Sequence, residues 1–292
     1  MIEKTKTDRP KRECFIDDSR IGKLNDPFAE NSFNFSHFNK LKQIKIHFDA
    51  FDICEYNDNK LIITDHIENS LLVLKNNSFR LLNTIKVIGM IELIRPSSVS
   101  IDFLNKLVYL CINKSKILII DISLEKIIHK IEAEGVVCDM CLKNGSLFIL
   151  QKDEVFKVKH ENNFDFTTVD FISVLSSSLK SPIHMSMYQN LIAISNARKV
   201  LIYNMDTGEQ SAEIVIEHET INSILFVENG TILVAHLNGN GQDKIVCFKK
   251  NSEYQWEKDF EFLIDEIIGS WSMKYIKGHL VLVSWGRNIM IF

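Results

Sequence analysis

Six side chains that could do chemistry recur at about the same place in six successive repeats of the sequence: Asp52, Ser98, Cys138, His184, Ser223 and Trp271. A carboxylate, an imidazole and a hydroxyl can form a hydrolytic triad, and several repeats that converge can hold a metal ion. Calcium prefers about six to eight oxygen ligands, which one carboxylate and one His cannot supply. No G-x-S-x-G motif marks Ser98 as a nucleophile for His184 and Asp52. We therefore expect the polar lining of a solvated channel, with no catalytic residue, metal or cofactor.

The cysteines do not indicate a metal or redox site. Cys138 and Cys141 form one C-x-x-C, but no second pair and no His pair follows at zinc-finger spacing. On a strand, these two side chains would face opposite sides. The six cysteines are dispersed, mostly in apolar runs, so no disulfide framework is expected.

The elements that must position these residues are clearest at residues 181–219. Strands are predicted at Ile183–Met187, Leu191–Ile194, Val200–Tyr203 and Ala212–Ile216, because short apolar or alternating runs are separated by polar turns. Four antiparallel strands in about 40 residues are typical of one β-propeller blade.

The same pattern recurs along the chain. It begins near residues 51, 96, 137 and 221, and the repeat at 137 contains the hairpin signal Asn144-Gly145. The last repeat, residues 269–292, stops after three strands, and the alternating segment Gln43–Phe48 has no local partner. An open ring would leave unpaired strand edges, so we expect Gln43–Phe48 to complete the C-terminal blade. The predicted fold is all-β, a six-bladed propeller of four-stranded antiparallel blades closed by an N-terminal strand, with a loosely structured arm at 1–37 and the propeller at 38–292.

Two short motifs resemble known propeller families. In ITDHIENSLLVL, residues 63–74, Asp65 and Asn69 stand as in an NHL repeat. In VLIYNMDTGEQ, residues 200–210, Tyr203 and Asn204 stand where a WD40 repeat has Trp and Asp, followed by the turn 206–209. The count of six favours the NHL side, since that resemblance implies six blades and WD40 rings usually have seven. It also implies ubiquitin-ligase or RNA-regulatory settings for some relatives, although no RING, B-box or zinc-ligand spacing occurs here.

Charge and hydropathy limit the function classes. The formal net charge is −4, from 34 Lys and Arg against 38 Asp and Glu, which gives no global attraction to nucleic acid or anionic membranes. No run approaches the roughly 18 apolar residues of a membrane span. We expect a cytoplasmic monomer without a membrane contact. The basic cluster Lys4, Lys6, Arg9, Lys11 and Arg12 leaves nuclear import as an alternative.

The turns between the second and third strands of the blades are the expected binding surface, because loops on a rigid repeat scaffold carry function. Trp285 beside Arg287 has the composition of an interface hot spot and also of a base-stacking platform. The predicted partner-binding residues are His66, Asn113, Lys114, Arg198, Lys199, Trp285 and Arg287.

The sequence thus predicts a non-catalytic interaction scaffold that binds a protein partner through this loop face. RNA binding is the first alternative and requires a salt-sensitive positive face built from Lys114, Lys116, Arg198, Lys199 and Arg287. A small-molecule hydrolase of the lactonase type is the second, and the lack of a carboxylate ring in the sequence argues against it.

Overall fold

The structure is a computed structural model in which each blade is a meander of four antiparallel strands. It describes residues 42–47, 49–57, 59–75, 81–85, 95–124, 126–152, 154–160, 166–172, 182–216, 220–227, 230–237, 243–251, 255–264, 270–276, 278–284 and 288–292. The predicted arm at 1–37 lies outside these residues. The described part of the chain contains 24 strands and no helix, and accordingly no helical segment that could cross a membrane.

The innermost strand of each blade lines the centre of the ring. These strands are β2 (Ala50–Asn57), β6 (Pro96–Asp102), β10 (Val137–Lys143), β14 (His184–Tyr188), β18 (Thr220–Phe226) and β22 (Ser270–Ile276). The second strands are β3 (Lys60–Asp65), β7 (Leu107–Ile112), β11 (Ser146–Gln151), β15 (Leu191–Ser195), β19 (Ile232–Leu237) and β23 (His279–Ser284).

The outer half of each blade follows the same order. The third strands are β4 (Ser70–Lys75), β8 (Lys116–Asp121), β12 (Val155–His160), β16 (Lys199–Asn204), β20 (Asp243–Lys250) and β24 (Asn288–Ile291). The outermost strands are β1 (Lys42–Lys45), β5 (Leu81–Ile85), β9 (Lys126–Glu132), β13 (Phe166–Ile172), β17 (Gln210–Val215) and β21 (Trp256–Ile264).

Six blades in a closed ring confirm the predicted fold class. The sixth sheet has the order β1, β24, β23, β22, so the N-terminal strand is the outermost strand of the C-terminal blade. It pairs antiparallel with β24, with Lys42 opposite Ile291 and Lys45 opposite Asn288. The closing strand predicted at Gln43–Phe48 is therefore present, shifted by one residue at its start and ending at Lys45.

The hydrophobic core is divided into six clusters, each between two neighbouring blades. Ile44 and Ile46 pack with Ile289 and Ile291 and with blade one, and the other five clusters repeat this arrangement around the ring. Burial on both faces explains why the second and third strands are nearly continuous apolar runs. No blade can bury its faces alone, so each is stabilised by its neighbours.

An antiparallel meander gives the ring two distinct ends. The turns between second and third strands lie at one end, together with the connections between blades, and we call this end the upper face. The turns that join the first to the second strand, and the third to the fourth, lie at the lower face. The predicted loop face is the upper face.

Candidate functional site

A cavity of about 200 Å³ lies at the centre of the ring, walled by innermost strands. Of the six predicted channel residues, Asp52, Ser98, Cys138, His184 and Ser223 are at its wall. The side chain of Trp271 lies outside the described residues. Asp139, Ser272 and Lys274 also line the cavity and were not singled out from the sequence.

In two innermost strands, the hydrogen bonds place the equivalent of Asp52 one residue further along the chain than the sequence alignment did. Register shifts lie between Val137 and Asp139 and between Ser270 and Ser272, as they also do between Ala50 and Ile53 in blade one, so this extra residue is common to several blades. The residues equivalent to Asp52 by hydrogen bonding are Asp139 and Ser272, and the channel contains two carboxylates where the sequence predicted one. Such an extra residue is a β-bulge, which the pattern of apolar residues does not reveal.

Asp52 joins three blades at the cavity wall. Its Oδ1 accepts hydrogen bonds from Ser272 Oγ at 2.6 Å and from the Ile53 amide at 2.8 Å. Its Oδ2 accepts one from the Val99 amide at 2.8 Å, and Lys274 Nζ forms an ion pair 3.6 Å from Oδ1. One carboxylate of blade one thus holds both blade two and blade six.

Asp139 does the same for blades two, three and four. Its Oδ1 accepts hydrogen bonds from Ser98 Oγ at 2.9 Å and from the Met140 amide at 2.8 Å. Its Oδ2 accepts one from the Met185 amide at 3.0 Å and lies 3.7 Å from His184 Nδ1. A further link follows at the next blade, where Ser186 Oγ accepts the Phe226 amide at 2.8 Å.

The charged groups of this network stabilise one another. Burial acts to raise the pKa of Asp139, but the hydrogen bond and charge of His184, the charge of Lys274 and the Met185 amide outweigh it and hold this pKa below its ordinary value. Burial acts to lower the pKa of Lys274, and the charges of Asp52 and Asp139 outweigh it and raise this pKa. Both groups therefore favour their charged forms.

The acceptor atoms of both carboxylates are occupied by these bonds. Each oxygen of Asp52 and of Asp139 already accepts at least one hydrogen bond of 3.0 Å or less. A carboxylate that accepts backbone amides is fixed in place and poorly available as a general base. Of the triad considered from the sequence, Ser98 Oγ lies 2.9 Å from Asp139 Oδ1 and 3.4 Å from Asp52 Oδ2, while His184 Nδ1 lies 3.7 Å from Asp139 Oδ2.

Burial disfavours the thiolate form of two cysteines near the cavity, Cys54 and Cys141. Burial raises the pKa of the Cys141 thiol to about 11, and burial together with the charge of Asp52 raises the pKa of Cys54 well above its ordinary value. A thiol that stays protonated at neutral pH is neither a good nucleophile nor a good metal ligand. Groups of three or more His, Cys, Asp or Glu side chains able to hold a metal do not occur among the described residues.

On the upper face, His66 and Lys199 are engaged with the protein itself. The His66 ring stacks on Phe51 with centroids 5.4 Å apart, and its Nδ1 lies 3.0 Å from the Pro96 carbonyl oxygen. Lys199 Nζ forms an ion pair with Glu213 at 3.2 Å. Both residues are half-buried, so they contribute less exposed surface than the sequence suggested.

Asn113, Lys114 and Arg198 are exposed on the same face and held rigidly. Asn113 and Lys114 have φ values of 51° and 55°, the left-handed pair of a tight hairpin turn. The Lys114 carbonyl oxygen accepts the Val137 amide at 2.7 Å, and the Arg198 carbonyl oxygen accepts the Ile216 amide at 2.9 Å. These turns therefore present their side chains on a fixed backbone.

Trp285 and Arg287 lie outside the described residues, and their part in binding stays a prediction. The partner-binding role of the other five residues stays a prediction as well.

The family-like motifs shape turns. Asp65 Oδ1 accepts the amides of Ile67 and Glu68, and Asn69 has a φ of 52°. Asn204 Oδ1 accepts the Asp206 amide at 2.8 Å in the second motif. Asp and Asn are favoured at such positions because they hydrogen-bond the backbone locally, whatever the family. The resemblance of one motif to NHL repeats and of the other to WD40 repeats thus has the same physical cause, which is the formation of a turn by Asp and Asn.

No family model matches the chain, and no curated protein sequence matches it. Solved structures do share its fold. They include hydrazine synthase from Kuenenia stuttgartiensis, with a TM-score of 0.62 at 10% identity over 86% of this chain and 77% of that one. The WD40 β-propeller domain of Doa1 gives 0.58 at 12% identity over 88% and 97% of the two chains. A chain of the mitotic checkpoint complex gives 0.66 at 10% identity over 92% and 96%.

Identities this low show the fold alone, and that fold is the β-propeller. An enzyme and a WD40 domain both stand among the similar structures, so membership of the NHL class is not shown and stays a prediction.

Proposed function

We propose that this protein is a non-catalytic interaction scaffold that binds a protein partner through its upper face. The observation that carries the proposal is the use of Asp52 and Asp139. Both carboxylates accept hydrogen bonds from the next blade. The most polar side chains of the channel therefore help to hold neighbouring blades together. A rigid closed ring leaves its turns as the surface available for recognition.

The rigid turns of the upper face support this role. Binding surfaces held in one conformation lose little conformational entropy on association. Asn113 and Lys114 lie in a turn fixed by a backbone bond to the next blade. The likeness of the fold to a chain of the mitotic checkpoint complex, itself an assembly, is in keeping with a scaffold.

The RNA alternative has weaker support, because cations of its predicted face are neutralised locally. Lys116 forms an ion pair with Glu132 at 3.1 Å, as Lys199 does with Glu213. An ion-paired lysine contributes less to counterion release from a phosphate backbone.

The proposal can be tested by affinity capture from lysate with the full chain, with and without nuclease. We compare the wild type with a Lys114→Glu, Arg198→Glu variant. The control is a Lys45→Glu, Lys130→Glu variant, which makes the same change of charge on exposed residues of outermost strands. Protein partners that resist nuclease, are lost in the first variant and are kept in the control would support the proposal.

Two results would contradict it. Capture of RNA that nuclease and moderate salt abolish would favour the nucleic-acid function. Retention of every protein partner by the Lys114→Glu, Arg198→Glu variant would place the interaction on another surface.

A further inference from the structure

Blade two presents three large apolar side chains to solvent at the lower face, on the opposite side from the predicted loop face. Phe103 is 53% exposed, Leu104 94% and Leu124 63%. Phe103 and Leu104 lie in the turn between β6 and β7, and Leu124 in the turn between β8 and β9. A single exposed apolar residue is ordinary, but three in two adjacent turns mark an interaction surface. We call these three residues the blade-two patch.

The two turns are adjacent because the Ile122 amide donates to the Lys106 carbonyl oxygen at 3.1 Å. Each turn is also fixed from within. Asp102 accepts both the amide and the side-chain Nδ2 of Asn105, at 3.1 and 2.7 Å. Lys106 has a φ of 56°, a left-handed conformation that L-residues other than Gly, Asn and Asp rarely adopt.

The second turn is fixed in a similar way. Asp121 Oδ1 accepts the amides of Ser123 and Leu124 at 2.8 and 3.1 Å. The exposed apolar side chains are thus held on rigid backbone, and a partner would find them already ordered.

Four lysines lie at this end of blades one and two, against the carboxylates of Asp102 and Asp121 among the described residues. Lys106 and Lys126 are exposed, and neither has an ion pair among the described residues. Lys60 and Lys75 lie opposite each other at the same end of neighbouring blade one. The nearby carboxylates of Asp102 and Asp121 accept hydrogen bonds within their own turns, as described above.

We propose that the blade-two patch docks a short segment of a partner protein in which apolar side chains alternate with or are flanked by acidic ones. The apolar residues would cover Phe103, Leu104 and Leu124, and the carboxylates would pair with Lys106 and Lys126. This rests on the proposed role as an interaction module and gives it a second surface, with a partner of defined chemistry.

The charge pattern disfavours other occupants. A second copy of this chain would bring the same lysines face to face, and like charges across an interface oppose association. An anionic membrane would attract these lysines too, but the net charge of the chain is −4 and three apolar side chains are a small anchor. A short peptide segment can be bound by a surface as small as these three side chains.

The test uses the purified full chain and three fluorescent 12-residue peptides in anisotropy titrations. The first peptide combines Leu and Phe with Asp and Glu, the second keeps the Leu and Phe but replaces the acids by Lys, and the third keeps the acids but replaces the apolar residues by Ser. The proteins are the wild type, Leu104→Ser, Lys106→Glu with Lys126→Glu, and Val215→Ser. Val215 is a matched control, because it is an exposed apolar residue, 58% exposed, on the outermost strand of blade four.

The wild type is expected to bind the first peptide, and to bind the second and third peptides much more weakly. Leu104→Ser should weaken this binding by about tenfold or more, since one buried leucine contributes that much. The double Lys variant should weaken it by several fold and reduce the loss of affinity at high salt. Val215→Ser should bind as the wild type does.

Several results would overturn the proposal. These are no binding of the first peptide, equal binding of the first and second peptides, or unchanged binding by Leu104→Ser. A concentration-dependent dimer in sedimentation that Leu104→Ser abolishes would assign the patch to a second copy. Binding to vesicles of phosphatidylserine that is lost in Leu104→Ser, without peptide binding, would assign it to a membrane.

The outcome is separable from that of the proposed function. Peptide binding should persist in the Lys114→Glu, Arg198→Glu variant, whose substitutions lie on the other face. Loss of lysate partners in that variant, with peptide binding intact, would support the upper face and leave the patch as a second surface.

Discussion

At the scale of single residues, the channel shows how an aspartate side chain can accept hydrogen bonds from the backbone of a neighbouring blade. Asp52 and Asp139 each accept the amide of the residue that follows them and an amide of the next blade. Hydrogen bonds to a charged acceptor contribute more than those between neutral groups, about 1.5–3 kcal/mol against about 1 kcal/mol. A few carboxylates can therefore contribute substantially to closing the ring.

Asp139→Asn should lower the free energy of unfolding at pH 7 by about 1–3 kcal/mol, because an amide keeps an acceptor but loses the charge. The folded-state pKa of Asp139 lies below its unfolded value of about 3.9. Its stabilisation is therefore present above that value and is lost as the pH falls through the folded pKa. Urea unfolding at pH 7 and at pH 3 should show the difference between the two proteins shrinking at the lower pH.

Asp206→Asn is the control for this substitution, since Asp206 is exposed and accepts one side-chain hydrogen bond of 3.3 Å from Asn190. It should change stability by less than about 0.5 kcal/mol. An Asp139→Asn protein as stable as the wild type at pH 7, or equally destabilised at both pH values, would refute a structural role for the charge.

The sequence placed Asp52, Ser98, His184 and Ser223 in one alignment with their apolar neighbours, but it could not reveal Asp139. Cys138 and Asp139 are adjacent on one strand, and choosing between them needs a register exact to one residue, which the apolar pattern of a single blade does not provide. The partner of Asp139 is also remote, since Met185 follows 46 residues later. Hydrogen bonds between residues so far apart in the sequence depend on how neighbouring blades pack. The periodicity within one blade gives no information about that packing.

At the scale of elements, the ring is closed by a strand of four residues. Ile44 is buried in the cluster between blades six and one, while Lys45 is exposed, so β1 keeps the alternation of an outer strand. Without it, β24 would present an unpaired edge, which is an aggregation hazard. The short strand thus completes both a hydrophobic cluster and a ladder.

The register of this closure can be tested with an engineered disulfide. Lys45 lies directly opposite Asn288, so a Lys45→Cys, Asn288→Cys protein should oxidise to link the two ends of the propeller. The bond should raise the midpoint of thermal unfolding, because it restricts the unfolded chain across a long loop. Mass spectrometry of the digested, oxidised protein would identify the linked peptides.

The control is a Gln43→Cys, Asn288→Cys protein. Gln43 lies opposite Met290, so this pair is diagonal, about 7–8 Å apart, and beyond the usual span of a disulfide. Equal cross-linking of both pairs, or of the diagonal pair alone, would show that β1 pairs in another register.

Local elements were predicted well where one or two residues determine the backbone. The hairpin signal Asn144-Gly145 is confirmed as a turn between β10 and β11, with φ values of 49° and 69°. Asn and Gly tolerate these left-handed angles, so the sequence specifies the turn directly. The exposure of Leu104 could not be predicted in this way, since an apolar residue in a turn gives no sign of whether a neighbouring turn covers it.

At the scale of the whole molecule, six clusters between blades form one closed cycle. In an open repeat protein, each unit contacts only its neighbours and the ends can open separately. A ring has no end, because the cluster with Ile44 and Ile289 joins the last blade to the first. The bonds of Asp52 to blades two and six extend this coupling across the same junction.

We therefore expect the ring to open as one unit, which hydrogen exchange of the native protein can show. Ile44→Ala and Ile214→Ala remove equivalent buried side chains, 6% and 5% exposed, from the outermost strands of blades six and four. Each substitution should lower the free energy of unfolding by about 2–4 kcal/mol. Each should also reduce the protection of the slowest-exchanging amides equally in all six innermost strands. If Ile44→Ala instead exposes only β2 and β22, while Ile214→Ala affects only blades four and five, the closing strand is a local latch and the blades unfold independently.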